Sequence, residues 1–285
     1  LSLQPCVAFG RKDSSQCTDE GHKAPPGRKM PPPRMKDRQA LLKPRERVGA
    51  PEVQNVLFYS VMAGLGALAP VPCMDDAVET YAGRAMTIAQ LRQFGLEPTV
   101  GQVSKLRRKP HWILRALRKC LYYCCCCWLL EFCFKKICYF LSVRDAVLNT
   151  STLFHEGWLL TYALKQGYIT RSTLSDKEAL KAVREAILDT VDEVDTSPIT
   201  NFISVTYTEK WNILTGAADA LYSNLASHGV KPGPGLGDEI EDVLEETEGD
   251  ERQQLSGMVK SLAAAIDSHR PYLDNLQRVF DENVR

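Results

Sequence analysis

Apolar residues recur at intervals of three and four along most of the chain, and apolar–polar alternation at every second position is scarce. The first spacing indicates one face of an α-helix, whereas alternation would indicate a half-buried strand. A clear example follows Ser175, which makes a capping-box pattern with Glu178. The apolar positions of that helix are Leu180, Val183, Ile187 and Val191. We therefore predict a mostly α fold, built as an irregular helical bundle.

Residues 53–74 form the longest uncharged run, which is long enough to cross a bilayer. Its second half is interrupted by helix-breaking residues, namely Gly64, Gly66, Pro70 and Pro72. A short apolar helix that ends at the Pro-x-Pro turn is the preferred interpretation. Such a helix would lie in a core or dip into one leaflet of a membrane. A second helix is predicted from Asp75 to about Phe94, since acidic residues favour a helix N-terminus.

Capping residues set several other predicted boundaries. Thr99 and Gln102 form a capping-box pattern ahead of a basic segment. Ser142 and Asp145 predict a new helix that runs to about residue 164 and stops at Gly167.

Ser197 is predicted as the cap of a later helix, with Pro198 at its first position. That helix is expected to reach His228, although Thr and Val residues leave a short strand at 204–208 as an alternative.

The last part of the chain predicts a separate amphipathic element. A Gly/Pro linker at 231–237 precedes residues 238–251, which hold nine acidic residues and no basic one. Pro271 then predicts a kink, or two shorter helices, within the final segment. The apolar positions of that segment form a face expected to bind a protein partner: Leu255, Val259, Leu262, Ile266, Leu273, Leu276 and Phe280.

These patterns divide the chain into five regions with different compositions. Region one lacks apolar periodicity and is rich in Pro and basic residues, so it is predicted to be disordered. The five predicted regions are a basic arm at 1–51, apolar helices with a cationic Cys-rich membrane-associated region at 52–141, a helical domain at 142–229, a linker with the acidic run at 230–251, and an amphipathic helix at 252–285.

Charge is distributed unevenly although the net charge is zero. Residues 101–145 carry ten Lys/Arg against two Asp/Glu, whereas residues 146–285 carry twelve against twenty-three. Basic stretches attract phosphate groups, including those of lipids. Seven predicted membrane-surface residues stand close together: Lys105, Arg107, Arg108, Lys109, Arg115, Arg118 and Lys119.

A cluster of thiols follows this basic stretch, among Trp and Tyr residues of the kind favoured at lipid headgroups. Acylation with a neighbouring cationic patch is the usual pair of signals for stable membrane attachment. The candidate attachment sites are Cys120, Cys124, Cys125, Cys126 and Cys127. Seven of the ten cysteines lie between Cys120 and Cys138. That clustering indicates reduced thiols at a cytosolic or organelle-interior membrane face, not a secreted disulfide framework.

The cysteine run allows two other interpretations. The thiols could act as small hydrophobic side chains in a buried helix. Alternatively, Cys124 and Cys127 satisfy C-x-x-C, and Cys133 with Cys138 could add a second pair for zinc. Zinc sites need a tight polar turn between ligands, and aromatics and Leu occupy these intervals, so we predict no metal and no cofactor.

No motif predicts a catalytic residue. The run from Gly64 to Ala69 matches a dinucleotide fingerprint only formally, because prolines follow at once, and small residues for close helix packing are the preferred explanation. His155-Glu156 begins like a zinc-protease helix, but Leu159 stands where the second His is required. The acidic cluster of Asp189, Asp192, Glu193 and Asp195 is interpreted as a solvated helix surface.

The sequence therefore predicts a non-enzymatic, membrane-associated scaffold or interaction protein, as a subunit of a larger complex. Its expected partners are an anionic membrane surface and an unidentified protein, and not nucleic acid, whose stacking aromatics would interleave with the basic residues. One alternative is an integral membrane protein with a helical hairpin at 53–74 and 120–143. Another is an enzyme of unknown class in the helical domain around His155.

Overall fold

A computed structural model describes residues 48–68, 74–107, 131–227 and 250–284. Within these ranges the chain is helical and contains no strand, which confirms the predicted fold class. The first four helices are α1 Ala50–Leu68, α2 Met74–Gln93, α3 Val100–Leu106 and α4 Glu131–Gln166. The next four are α5 Arg171–Ser175, α6 Lys177–Glu193, α7 Ser197–Glu209 and α8 Trp211–Ser227. The chain then forms α9 Asp250–Ile266, a 3-10 turn at Asp267–His269, and α10 Arg270–Val284.

The second half of α4 is the centre of the bundle. Helices α1, α2, α6, α7 and α10 all contact α4, while α9 packs on α1 and α8. Its large side chains Phe154, Trp158 and Tyr162 are fully buried, and each such aromatic buries a large apolar area. Most of the surrounding helices are thus positioned by one hydrophobic core along α4.

Helix α1 lies inside this core, and the alternative in which it dips into a lipid leaflet is not realised in this structure. Val56, Leu57 and Val61 are fully buried against the neighbouring helices. At Gly64 a methyl group would overlap the Thr150 hydroxyl of α4, so only glycine permits this close approach. This packing agrees with the explanation of the Gly64-x-Gly66 pattern as small residues between helices.

Two predicted caps are displaced by one residue. The N-cap of α6 is Asp176, whose carboxylate accepts the backbone N–H groups of Glu178 and Ala179, while Ser175 ends the short helix α5. A carboxylate at this position also interacts favourably with the positive end of the helix. The N-cap of α7 is Thr196, which makes Ser197 the first helical residue.

Helix α4 corrects the predicted restart at Ser142. The helix is continuous over 36 residues and passes through Ser142 and Asp145 without a break. It is about 54 Å long at 1.5 Å per residue. The predicted stop is confirmed, because Gly167 has φ of +78°, a left-handed conformation that glycine adopts without strain.

The segment from Ser197 onward differs from the single helix predicted to reach His228. It breaks at Lys210 into α7 and α8, and the alternative strand at 204–208 is helical. The break allows α7 to pack on α4 while α8 packs on α9 and α1. The predicted interruption at Pro271 is confirmed, since the 3-10 turn ends two residues before it, at His269.

Several predicted features lie outside the described residues. They include the basic arm up to residue 47, the Pro-x-Pro turn, and most of the linker and acidic run.

Candidate functional site

The predicted membrane-binding segment falls largely between α3 and α4, outside the described residues. Lys105 and Arg107 are its two described basic members; Lys105 is half-buried at the end of α3. The remaining positions are not described: Arg108, Lys109, Arg115, Arg118, Lys119, Cys120 and Cys124 to Cys127. The structure therefore informs on the place where the segment leaves the helical body.

Arg107 is mostly buried, which differs from the membrane-surface position predicted for it. Its Nη1 atom is 3.9 Å from Oε2 of Glu156 on α4, and the two side chains are 13% and 10% exposed. The guanidinium lies against Gly83 of α2, where a methyl group would overlap it. Gly83 thus provides the space, and Glu156 the opposite charge, that hold the base of the cationic segment on the bundle.

The Arg107–Glu156 pair is loose. A separation of 3.9 Å exceeds hydrogen-bond distance, and the buried Nη1 group has no hydrogen-bond acceptor among the described residues. A small cleft adjoins the pair, at the junction of α2, α3, α4 and α6. It is lined by Met86, Thr87, Leu106, Leu160, Ile187 and Leu188 in addition to the two charged residues.

Helix α3 is fixed by other contacts as well. Gln102 Oε1 accepts the backbone N–H of Thr99 at 2.8 Å, as the predicted capping pattern requires, and Gln102 Nε2 donates to the Leu174 carbonyl at 2.8 Å. Val103 and Leu106 are buried, and α3 packs on α6. The short helix therefore stays docked through apolar contacts as well as through Arg107.

His155 lies next to Glu156 in sequence but belongs to a different buried contact. Its Nδ1 is 2.6 Å from the Ser151 carbonyl and its Nε2 is 2.7 Å from the Tyr272 hydroxyl of α10. A carbonyl oxygen can only accept, so Nδ1 carries the proton and Nε2 accepts from Tyr272. The ring joins α4 to α10.

Burial keeps this imidazole neutral. It lowers the pKa of His155 to about 4, against the opposing effect of the Ser151 carbonyl. Burial also raises the pKa of Tyr272, and the nearby charge of Asp195 acts in the same direction. The enzyme alternative gains no open base from this geometry, because both ring nitrogens of the fully buried His155 are already hydrogen-bonded.

Other polar contacts on α4, or directly after its end, could not be predicted from the sequence. The Thr150 and Tyr207 hydroxyls are 2.5 Å apart, and Tyr162 donates to the Asp281 carboxylate of α10 at 3.0 Å. Tyr168 donates to the same carboxylate at 3.0 Å. Each pair is separated by more than fifty residues in the chain, so residue spacing could not have predicted it.

The predicted partner-binding face is used within the chain. In this structure all of its seven residues are buried against other helices, because α9 packs on α1 and α8 while α10 packs on α6 and α4. The face is therefore not accessible to another protein in this arrangement. Its members are Leu255, Val259, Leu262, Ile266, Leu273, Leu276 and Phe280.

The acidic cluster at the end of α6 lies on the surface. Asp189, Asp192, Glu193 and Asp195 are exposed. Partial burial, followed by the charges of Glu185, Asp192 and Glu193, raises the pKa of Asp189. Over the described ranges, no group of three or more His, Cys, Asp and Glu residues is arranged to hold a metal ion.

The described helices also bear on the predicted hairpin. None of them combines the length and the apolar composition needed to cross a membrane. Comparison with known proteins provides no relative: no family model, curated protein or solved structure matches the chain.

Proposed function

We propose that this chain is a non-enzymatic scaffold or interaction protein that binds the surface of an anionic membrane through residues 105–130. One observation carries the proposal: seven basic residues, five cysteines and four Trp or Tyr residues occur within these 26 positions, with no acidic residue. Each basic residue that reaches an anionic surface contributes about 1 kcal/mol to binding. Acylation of one or more cysteines would add the second signal that stable attachment requires.

The described residues on either side of the segment support this function. On one side, Leu106 is buried and Arg107 lies between Gly83 and Glu156. On the other side, α4 begins at Glu131 and continues without a break into the core, where Ala146 is fully buried. A membrane contact made between these two attachments would position the whole bundle relative to the bilayer.

The surface of the described helices also supports the proposal. Its exposed large hydrophobic side chains belong to four different helices in the part of the chain that is described: Val100, Leu148, Val205 and Tyr222. Single exposed hydrophobic residues are normal on a protein surface and need no binding function to explain them. We therefore expect the lipid contact to come from Lys105 and residues 108–130, and not from the rest of the bundle.

Substitution of the candidate thiols tests the proposal. Cys120 and Cys124 to Cys127 are replaced by Ser in the full chain, and membrane recovery and labelling with a fatty-acid analogue are measured in fractionated cells. We expect both to fall strongly. The matched control replaces Cys6, Cys17 and Cys73 by Ser and should keep both. Unchanged recovery together with an absence of acyl label in the unsubstituted protein would refute acylation.

A second measurement separates attraction by charge from acylation. Unacylated protein is floated with vesicles that contain phosphatidylserine and with vesicles of phosphatidylcholine alone. We expect binding to the anionic vesicles only, and we expect it to weaken as salt is raised, because exposed charges are screened. Equal binding to both vesicle types would contradict the role assigned to the basic residues.

A further inference from the structure

Arg107 occupies a site that holds it incompletely. A guanidinium group presents five N–H donors in a planar fork and is matched best by a carboxylate or phosphate that accepts two of them. Here the nearest Glu156 oxygen is 3.9 Å from Nη1, and within the described part of the chain the buried Nη1 group has no acceptor. Among the described residues no protein group uses this part of the hydrogen-bonding capacity of Arg107 in the docked arrangement.

Access to this site depends on Gly83. The three atoms nearest to a Cβ placed at Gly83 all belong to the Arg107 guanidinium, and each would overlap it. A methyl group there would consequently meet the end of a flexible side chain and not the backbone of a neighbouring helix. Arg107 can move away from such a methyl group while α2 and α3 keep their apolar contacts.

We propose that Arg107 is a releasable latch. In the docked state its guanidinium lies over Gly83 beside Glu156 and holds the base of the cationic segment on the bundle. The phosphate of an anionic lipid competes with Glu156 for this guanidinium and releases it. A phosphate offers the paired acceptors that Glu156 does not provide in the docked state. Release would add Arg107 to the basic residues that contact the membrane. This inference rests on the proposed membrane function and names one residue that responds to the lipid.

The Gly83→Ala substitution tests the latch by displacing Arg107 without changing any charge. The matched control is Gly101→Ala on α3, where an added methyl group meets no atom within 4 Å. Binding of the full chain to phosphatidylserine vesicles should tighten about five-fold in Gly83→Ala, the effect of one additional basic residue at the surface. Gly101→Ala should bind like the unsubstituted protein, and the double variant Gly83→Ala/Arg107→Ala should lose the gain.

A measurement without membranes reports directly whether Arg107 is docked on the bundle. Amide hydrogen exchange at Val103 to Arg107 should accelerate about ten-fold or more in Gly83→Ala and stay unchanged in Gly101→Ala, since release of Arg107 loosens the end of α3. If Gly83→Ala does not fold, Glu156→Gln replaces it, because this variant removes the opposing charge and keeps the side-chain shape. Glu156→Gln should change vesicle binding and amide exchange in the same direction as Gly83→Ala, but by smaller factors.

The outcomes separate the latch from the membrane function. The unsubstituted protein could bind vesicles while Gly83→Ala and Glu156→Gln change neither vesicle binding nor amide exchange. This result overturns the latch and leaves the proposed function intact. Absence of vesicle binding by the unsubstituted protein overturns the proposed function and the competition by lipid together. Gly83→Ala could instead bind soluble inorganic phosphate more tightly than the unsubstituted protein does, while binding vesicles equally well. In that case the competing anion is free phosphate, and the proposal that it is a lipid phosphate is overturned.

Discussion

The contact of His155 and the Arg107–Glu156 pair lie next to each other along α4, yet these two contacts are of opposite quality. His155 faces α10, and both of its ring nitrogens are hydrogen-bonded, at 2.6 and 2.7 Å. Glu156 faces Arg107 at 3.9 Å, beside a cleft, and Nη1 of that arginine has no acceptor in the ranges that the structure describes. Adjacent residues on a helix point about 100° apart, so one step along the chain moves the side chain from one interface to another.

The difference separates a structural contact from a releasable one. A buried polar group whose donors and acceptors are all paired is costly to disturb, because any change leaves a partner unsatisfied. A buried charge pair without matched hydrogen bonds contributes less, since desolvation offsets much of the attraction. We therefore expect the α4–α10 contact to resist perturbation and the α4–Arg107 contact to yield.

The largest expected effect is that of His155→Ala. Removal of the ring leaves a cavity and an unpaired Tyr272 hydroxyl, so the free energy of unfolding at pH 7.5 should fall by roughly 4 kcal/mol. Urea titration measures this loss. His269→Ala, at a half-buried histidine of the same chain, is the control and should cost less than about 1 kcal/mol. Equal losses of unfolding free energy in the two variants would contradict the prediction that the His155 contact is especially stabilising.

The next effect is a pH dependence that originates at His155. Burial lowers the pKa of His155 from 6.5 to about 4, so between these values the unfolded chain binds more protons than the folded one. The free energy of unfolding should therefore fall by about 3 kcal/mol as the pH decreases from 6.5 to 4. Above pH 6.5 the full contribution of His155 to stability should be present.

Urea titrations of the unsubstituted protein and of His155→Asn at pH 7, 5.5 and 4.5 measure this contribution. Asparagine does not titrate, so the stability difference between the two proteins should shrink as pH falls. A difference that stays constant across this range would show that His155 is not protonated on unfolding.

The smallest effect is expected at the loose pair. Glu156→Gln should lower the free energy of unfolding by only about 1 kcal/mol, well below the 3 to 5 kcal/mol that breaking a well-formed buried ion pair costs. Glu185→Gln, at an exposed pair with Lys181, is the control and should change stability by less than about 0.5 kcal/mol. A loss above about 3 kcal/mol at Glu156 would show that this contact is as strong as the one at His155.

Local patterns predicted the helices well but not all of their ends. The capping pattern at Thr99 and the stop at Gly167 are realised because they depend on hydrogen bonds and dihedral angles within a few residues. The similar pattern at Ser142 is overridden, since α4 continues through it into the core. A capping pattern is only a local preference, and tertiary packing on either side can outweigh it.

The candidate site was predictable only in part. The composition of residues 105–130 is visible in the sequence, and so is the apolar face that begins at Leu255. That face turns out to be buried within the chain, because amphipathic spacing reports that a helix needs a partner surface but not which surface it finds. The seat of Arg107 was missed altogether, since Gly83 and Glu156 stand apart from it in sequence and join it only through packing.

By itself the sequence determined the helical class, most helix boundaries, and the concentration of cations, aromatics and thiols in one short segment. These properties follow from residue spacing and composition, which act locally along the chain. Only the tertiary structure decided that the terminal apolar face covers the protein's own core, that His155 is sealed against Tyr272, and that Arg107 lies over Gly83. Such contacts join residues far apart in the chain, and they depend on which helix faces meet.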